Sequence, residues 1–272
     1  MREFDGAGAM VTGAGDGIGR ALARRLSERG ASVAVVDIEG AAALRTADEI
    51  RAAGGHATAH RCDVSDRVAV RDLVQEVQEA HGTVRILCNN AGVSHFAPVA
   101  YMNDGDWDWV LAVNLQATIV GIAAFLPGML ACGRDAHILN TASTAGLAAP
   151  LGQGLAAYAV SKSGVVALSE VLDDELRDTR VRVSLLCPGA TRTTIYASER
   201  RRPADFGAPS RTSPPRTPAD GAMTAERVAD IALRGMEDDQ LYIPCDPATR
   251  SRVDARFAAI AAGYDWLERA CR

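Results

Sequence analysis

The sequence is nearly devoid of lysine: Lys162 is the single one, against 28 arginines among 272 residues. The six cysteines are scattered, with no CxxC pair and no histidine at ligand spacing, so we expect neither a disulfide framework nor a metal site. A formal net charge of −5 and the lack of a basic stripe argue against a nucleic-acid surface. We interpret the one local basic run, residues 200–202, as a solvated turn in a proline-rich loop.

We expect neither a targeting segment nor a membrane-spanning segment. Residues 1–5 lead directly into an apolar strand, so we expect no signal peptide and a cytoplasmic location. The most apolar stretch, residues 117–133, contains Pro127 and is short for a membrane span of ~20 residues. It predicts a helix buried inside the protein.

Apolar segments of strand type alternate with amphipathic segments of helix type along the whole chain. This order predicts βαβ units, and hence a single Rossmann-like domain with a doubly wound parallel sheet between two helix layers (α/β/α). The predicted strands are 7–11, 33–36, 57–61, 86–88, 137–139, 181–186 and 242–243, and the helices are 18–29, 41–53, 66–80, 104–126, 155–178, 225–237 and 248–269. The proline-rich segment 194–222 is predicted to be a mobile substrate lid. Residues 223–272 then form a C-terminal extension, in which Thr224 is the expected N-cap.

A glycine-rich turn follows the first predicted strand and opens directly into a helix. Its glycines, Gly13, Gly17 and Gly19, allow the backbone to approach a pyrophosphate at the helix N-terminus. An acid, Asp37, ends the second strand about 20 residues on. A carboxylate there accepts hydrogen bonds from ribose hydroxyls and repels a 2′-phosphate, so the pattern predicts NAD rather than NADP.

The single lysine lies four residues after Tyr158, which places the phenol and the ammonium on one face of a helix. A cation in that position favours phenolate, so we expect Lys162 to lower the pKa of Tyr158 from its usual ~10. A tyrosine with a lowered pKa could exchange a proton near neutral pH. The alternative is a chance pair on a solvated helix face.

Taken with their neighbours, these residues resemble the short-chain dehydrogenase/reductase family over roughly residues 5–245. The chain matches the family's TGxxxGxG loop at 12–19, its NNAG motif at 89–92, its YxxxK pair at 158–162 and its PGxxxT turn at 188–193. The resemblance implies a catalytic set of Asn114, Ser143, Tyr158 and Lys162. It further implies dinucleotide contacts from Gly13, Asp16, Gly17, Ile18, Gly19, Asp37, Asp63, Val64, Asn90, Ala91, Gly92, Tyr158, Lys162, Pro188, Gly189, Thr191 and Thr193.

In the family's reaction a secondary alcohol and a ketone are interconverted by hydride transfer, with the tyrosine exchanging the proton, the serine orienting the oxygen, and the asparagine ordering a relay water. We expect the substrate pocket to comprise Ser94, His95, Phe96, Ser143, Leu151, Tyr158 and Tyr196. These residues are mostly apolar or neutral, which favours an alicyclic, terpenoid or steroid-like alcohol. An anionic substrate stays an alternative because the lid contains arginines. His95 could instead be a satisfied surface histidine.

Two other functions stay open on the sequence alone. One is an NADPH-dependent ketone reductase, against which Asp37 argues. The other is a non-catalytic dinucleotide-binding regulator, which would be expected to have lost the tyrosine, serine or lysine. The family's usual subunit interface corresponds to the helices 104–126 and 155–178, so a homo-oligomer is expected, with a tetramer favoured over a dimer.

Overall fold

Seven parallel strands form one sheet in a computed structural model that describes residues 4–211 and 221–271. The strands are β1 (Gly8–Thr12), β2 (Ser32–Asp37), β3 (Ala57–Arg61), β4 (Val84–Asn89), β5 (Ala136–Thr141), β6 (Val181–Cys187) and β7 (Tyr242–Pro244). Their order across the sheet is β3-β2-β1-β4-β5-β6-β7. The order therefore reverses between β1 and β4, and a crevice for ligands is expected there, beyond the carboxyl ends of the strands.

Strand β2 illustrates why the central strands are almost continuously apolar. Val33 and Val35 pack into the core on one face of the sheet, whereas Ala34 and Val36 pack into the core on the other face. Successive side chains of a strand point to opposite faces, so a strand covered on both sides must be apolar at every position. The predicted α/β/α architecture is confirmed.

Helices cover both faces of this sheet. The described helices are α1 (Gly17–Glu28), α2 (Gly40–Ala52), α3 (Arg67–His81), α4 (Asp104–Leu111), α5 (Ala117–Ala131), α6 (Thr144–Leu147), α7 (Ala156–Glu175), α8 (Ala225–Glu237) and α9 (Arg250–Ala270). Helices α1, α2 and α8 pack on one face, and α3, α5 and α7 pack on the other. Several helices begin at side-chain caps: Asp16 caps α1, Asp66 caps α3, and Thr224 caps α8 as predicted.

The predicted helix 104–126 is longer and less regular than expected. A π-helical segment, Ala112–Gln116, joins α4 to α5, and α5 continues past Pro127 to Ala131. By length and composition, Asp104–Ala131 is apolar enough to cross a membrane, and 56% of its most apolar window is buried within the fold. Val120, Phe125 and Met129 of α5 belong to the core beneath the sheet, as expected of a core helix.

The segment after β6 contains little regular structure. Two 3₁₀ segments, Thr194–Arg201 and Ala204–Phe206, are followed by irregular backbone to residue 211. Residues 212–220, which include three of the five prolines of the predicted lid, lie outside the described residues. We keep the name lid for residues 194–222, and its mobility stays a prediction.

Candidate active site

A cavity of about 400 Å³ lies at the carboxyl ends of the strands, where the strand order reverses. It brings together most of the residues predicted from the sequence. Those that line it are Gly13, Asp16, Gly17, Ile18, Asp37, Asn90, Ala91, Gly92, Ser94, Phe96, Ser143, Tyr158, Lys162, Pro188, Gly189, Thr191, Thr193 and Tyr196.

The glycine-rich turn has no room for side chains. Gly13 and Gly17 have positive φ angles of 63° and 53°, a backbone conformation that favours glycine. A Cβ atom on Gly19 would lie 2.1 Å from the carbonyl oxygen of Gly13, so this glycine lets α1 pack directly against the turn. The result is a backbone cradle at the N-terminus of α1, which suits the pyrophosphate of a dinucleotide.

Asp37 lines the cavity at the end of β2, where backbone amides orient its carboxylate. The Gly15 amide donates to Oδ2 at 2.9 Å, and the Glu39 amide donates to Oδ1 at 2.9 Å. Each carboxylate oxygen has further lone pairs for a ribose hydroxyl. The hydrogen-bond-accepting carboxylate of Asp37 and the backbone cradle together fit a dinucleotide whose adenosine half lies toward Asp37.

Ser143, Tyr158 and Lys162 converge on the opposite side of the cavity. A hydrogen bond links the side chains of Ser143 and Tyr158. The Lys162 ammonium donates to the Thr141 carbonyl oxygen at 2.7 Å and lies 5.8 Å from the centre of the Tyr158 ring. Because an ammonium has three protons, two remain for a ligand.

The pKa of Tyr158 is where the structure corrects the sequence analysis. Burial raises it to about 12, and the hydrogen bond with Ser143 offsets this only in part. Burial also lowers the pKa of Lys162 to about 8. The expected lowering of the Tyr158 pKa by Lys162 is therefore wrong: burial is the largest cause of the shift, and the charge of Lys162 is not among its causes.

Asn114 lies within the π-helical segment, fully buried behind the cavity wall. Its Oδ1 accepts from the Val93 amide at 2.8 Å, and its Nδ2 donates to the Val93 carbonyl at 3.0 Å and to the Ser161 hydroxyl at 3.0 Å. A Cβ atom on Gly92 would lie 3.5 Å from both Asn114 Oδ1 and Lys162 Nζ. The asparagine therefore shapes the wall beside the lysine, and the relay water stays a prediction.

Several predicted contact residues lie outside the cavity lining. Asp63 and Val64 follow β3, where the Asp63 carboxylate accepts from the amide and hydroxyl of Ser65. Leu151 was expected in the substrate pocket, but it is 91% exposed in the loop before α7. Its neighbours Gln153 and Leu155 line the cavity instead, because the loop turns Leu151 away from it.

His95 is neither a pocket residue nor a surface histidine. It is fully buried, and it lies between two acids: Nδ1 is 2.8 Å from Glu199 Oε1, and Nε2 is 3.3 Å from Asp106 Oδ2. Its neighbours Ser94 and Phe96 line the cavity, whereas the His95 side chain points away from it into the protein.

Arg202 completes this buried cluster, so its interpretation as part of a solvated turn is wrong. Its guanidinium is only 4% exposed and donates to Asp106 Oδ1 at 2.6 Å and to the Phe206 carbonyl at 2.7 Å. Burial alone would raise the pKa of Asp106, but hydrogen bonds from Ser210 and Arg202 more than offset it and leave that pKa below its usual value. We call His95, Asp106, Glu199 and Arg202 the lid clamp, because they join the lid to α4.

Other contacts seat the lid along the cavity. The Thr194 hydroxyl donates to Asp16 Oδ2 at 2.6 Å, next to the glycine-rich turn. Ser94 donates its hydroxyl to the Ile195 carbonyl at 2.9 Å, so this predicted substrate residue also positions the lid. The rings of Tyr196 and Phe96 stack with centres 6.2 Å apart.

Three cavity residues after β7 were missed by the sequence analysis: Asp246, Thr249 and Arg252. No local motif marks them, and they reach the cavity only because β7 pairs with β6 and directs the chain back over it. Among the described residues, Arg252 makes no hydrogen bond or ion pair. It is a cation free to bind a ligand.

The fold and the cradle define a dinucleotide-binding α/β protein. A family model described as short chain dehydrogenase matches residues 7–204. The chain belongs to this family of oxidoreductases, as the resemblance implied.

Relatives and solved structures agree with this assignment. The chain is 34% identical to 1-deoxy-11-beta-hydroxypentalenate dehydrogenase of Streptomyces exfoliatus over 258 residues, 92% of this chain and 86% of that one. A short-chain dehydrogenase/reductase of Burkholderia phymatum, solved with NAD, has a TM-score of 0.91 and 36% identity over 97% of both chains. A metagenomic short-chain oxidoreductase, solved with NADP, has a TM-score of 0.70 and 34% identity over 88% of this chain and 96% of that one.

Proposed function

We propose that the protein is an NAD-dependent oxidoreductase that interconverts a secondary alcohol and a ketone. The observation that carries this proposal is the convergence of Ser143, Tyr158 and Lys162 on one wall of a cavity whose opposite side is a dinucleotide cradle. When bound, the nicotinamide supplies or accepts the hydride. The protein's own residues must then position the substrate and handle one proton.

Tyr158 is assigned the proton transfer. In ketone reduction its hydroxyl gives the proton to the carbonyl oxygen, which becomes the alcohol oxygen, and the phenolate is reprotonated from solvent. Ser143, joined to Tyr158 by a hydrogen bond, orients the same substrate oxygen. Lys162, fixed by the Thr141 carbonyl, offers its remaining protons to the ribose hydroxyls and stabilises the phenolate once it forms.

The preference for NAD rests on Asp37 and its surroundings. Its carboxylate lines the cavity at the adenosine side, where a 2′-phosphate would meet a like charge. The nearest lid arginines are already paired with acids: Arg201 hydrogen-bonds Glu39, and Arg200 lies 3.7 Å from the same carboxylate. The second candidate is an NADPH-dependent ketone reductase. The protonated state of Tyr158 favours the reduction direction, in which the tyrosine gives a proton to the substrate.

For the substrate we propose an alicyclic or terpenoid secondary alcohol that also carries a carboxylate. Phe96, Leu155 and Tyr196 supply apolar walls. Arg200, Arg201 and Arg202 of the lid are paired with acids, and the Arg211 guanidinium lies over the Tyr101 ring. Of the described residues that line the cavity, we therefore assign Arg252 to the anionic group. The Streptomyces relative is named as a dehydrogenase of a hydroxypentalenate, which by its name is a hydroxy acid anion.

The decisive experiment is Tyr158→Phe, assayed with a panel of cyclic hydroxy acids and their methyl esters against NAD and NADP. We expect turnover with NAD by the native protein, and its loss in the variant with NADH affinity within a factor of about two. Substantial turnover by the variant would contradict the acid–base assignment. Preference for NADP would contradict the role of Asp37.

Arg252→Gln tests the substrate class separately, with Arg250→Gln as the matched control, because Arg250 lies on the same helix near Asp254. Hydrogen bonds to charged groups contribute about 1.5–3 kcal/mol, so KM for the acid should rise roughly tenfold to a hundredfold, with no change for the ester. Equal KM values for acid and ester in the native protein would refute the carboxylate requirement while leaving the oxidoreductase assignment in place.

We also infer a cytoplasmic homo-oligomer. Ile119 on α5 and Val160 and Val171 on α7 are exposed apolar residues on the two helices expected to form the family's subunit interface.

A further inference from the structure

Helix α9 is exposed along almost its whole length, with Val253 half-buried, although its side chains include several large apolar ones. None of its residues is buried, and Phe257 and Tyr264 are 64% and 67% exposed. The beginning of the helix is nevertheless attached to the protein: the Arg256 guanidinium donates to the Leu147 carbonyl at 2.6 Å, and Thr249 before the helix is buried. Beyond Arg256, residues 257–270 of the helix are exposed, and no described part of the chain covers them.

The apolar residues of α9 form a single stripe. Val253, Phe257, Ile260, Tyr264 and Leu267 follow one another at spacings of four, three, four and three residues. This 3.5-residue repeat is the pattern by which a helix packs on another helix in a coiled coil. We call these five residues the α9 stripe; Trp266 lies off it.

The residues beside the stripe permit close approach of a second helix. Ala261, Gly263 and Ala270 occupy flanking positions, and such small side chains let two backbones come near each other. The charges of α9 are nearly balanced, with four arginines and three acids between residues 250 and 270. The helix therefore lacks the basic face by which amphipathic helices bind anionic membranes.

We propose that the α9 stripe packs against the α9 stripe of a second copy of this chain across a two-fold axis. Every copy presents the same stripe, so one symmetric contact covers both, as an isologous interface requires. Phe257 and Tyr264, each about two-thirds exposed, contribute roughly 200–300 Å² together. With Ile260 and Leu267 added, the apolar area on one copy approaches the area that each partner buries in a small interface, one of under about 1,200 Å² in total.

This area is too small to hold a dimer alone, which indicates a second contact within a larger assembly. A tetramer with two-fold symmetries needs two different isologous interfaces. Exposed apolar residues on α5 and α7 mark one, and the α9 stripe supplies the other. The inference rests on the oligomer proposed above, but not on the catalytic assignment.

The test is the mass in solution of Ile260→Glu/Tyr264→Glu, measured by light scattering and by sedimentation. Ala262→Glu is the matched control, because residue 262 lies on the opposite side of the same helix. We expect the double variant to have half the mass of the native protein, with NADH affinity unchanged, and the control to keep the native mass. An unchanged mass in the double variant would overturn the proposal.

Cross-linking gives a second measurement that needs no disruptive variant. Cys271 is exposed and continues the spacing of the stripe, four residues after Leu267. If the two α9 helices are parallel, oxidation with copper phenanthroline should cross-link Cys271 of one copy to Cys271 of the other. If they are antiparallel, oxidation of a Val253→Cys protein should cross-link residue 253 of one copy to Cys271 of the other. Absence of both cross-links, or stripe-dependent binding to vesicles by a protein of unchanged mass, would refute pairing of the stripes.

Discussion

The lid clamp allows a sharp prediction for the variant Asp106→Asn. Asp106 is fully buried and holds the guanidinium of Arg202 at 2.6 Å, while His95 lies on its other side at 3.3 Å. The substitution keeps the side chain's shape and its hydrogen bond to Asn103, but it leaves the arginine without its charge partner. Removing one partner of a buried ion pair costs about 3–5 kcal/mol.

That free energy can appear in two ways. If the whole fold carries it, Tm should fall by about 6–20 °C, since 1 kcal/mol corresponds to about 2–4 °C in a protein of this size. If only the lid is destabilised, the lid opens locally and Arg202 moves into water while the sheet stays intact. We expect the second result, because residues 204, 205, 207 and 208 of the lid are exposed and such segments open at low free energy.

The assay is tryptic cleavage after Arg201, at the bond to Arg202, which is protected while the Arg202 side chain is buried; the bond after Arg202 precedes Pro203 and resists trypsin. In Asp106→Asn we expect cleavage at least about tenfold faster, a KM for substrate raised by about tenfold or more, and Tm lowered by less than about 5 °C. Asp108→Asn, at an exposed position of the same helix, is the control. Adding Arg202→Met removes the unpaired charge and should restore much of the native Tm.

A fall in Tm of more than about 6 °C, with cleavage after Arg201 and KM both unchanged, would refute the reasoning. The cluster would then be an ordinary part of the core.

Three further predictions follow from the site and the core. Because burial raises the pKa of Tyr158 to about 12, kcat/KM for alcohol oxidation should rise about tenfold per pH unit from pH 6 to about 7.5, below the Lys162 pKa of about 8, while ketone reduction stays level; a plateau for oxidation within this range would contradict this. Burial lowers the pKa of His137 to about 3, so below pH 6.5 the unfolded chain binds a proton that the native chain does not. Chemical unfolding should therefore show a loss of about 2.5 kcal/mol between pH 6 and pH 4 that His137→Gln removes and His56→Gln does not. Gly19→Ala would bring a Cβ atom to 2.1 Å from the Gly13 carbonyl, and calorimetric titration should show NADH binding lost while circular dichroism stays native.

The fold and the dinucleotide cradle were predictable because their signals are local. The glycine-rich turn, the acid at position 37 and the alternation of apolar segments each lie within a short stretch of chain, and the sheet order follows from the connections that such stretches allow. Helix α8 begins and ends where the spacing predicted it. Asp37 indeed ends β2 and lines the cavity.

The lid clamp was not predictable, because its members are far apart in the chain. Asp106 lies eleven residues after His95 in the chain, but Glu199 and Arg202 lie more than one hundred residues after His95. A sequence pattern does not reveal such pairing. Likewise, the i,i+4 spacing placed Tyr158 and Lys162 correctly on one helix face, but it carried no information about burial, and burial decides the sign of the pKa shift.

The position of the lid implies that its closure acts unequally on the two ligands. At the dinucleotide side, the described part of the lid contributes the hydrogen bonds from Thr194 to Asp16 and from Arg201 to Glu39, whereas at the substrate side it contributes the stacked ring of Tyr196. The cradle and Asp37 belong to the sheet and α1, so they stay in place when the lid opens. Because these bonds join the lid to the protein and not to the dinucleotide, opening of the lid in Asp106→Asn should weaken NADH binding by no more than about 1 kcal/mol and affect substrate binding more. If NADH affinity fell as far as substrate affinity, the lid would be a wall of the dinucleotide cradle and not of the substrate pocket.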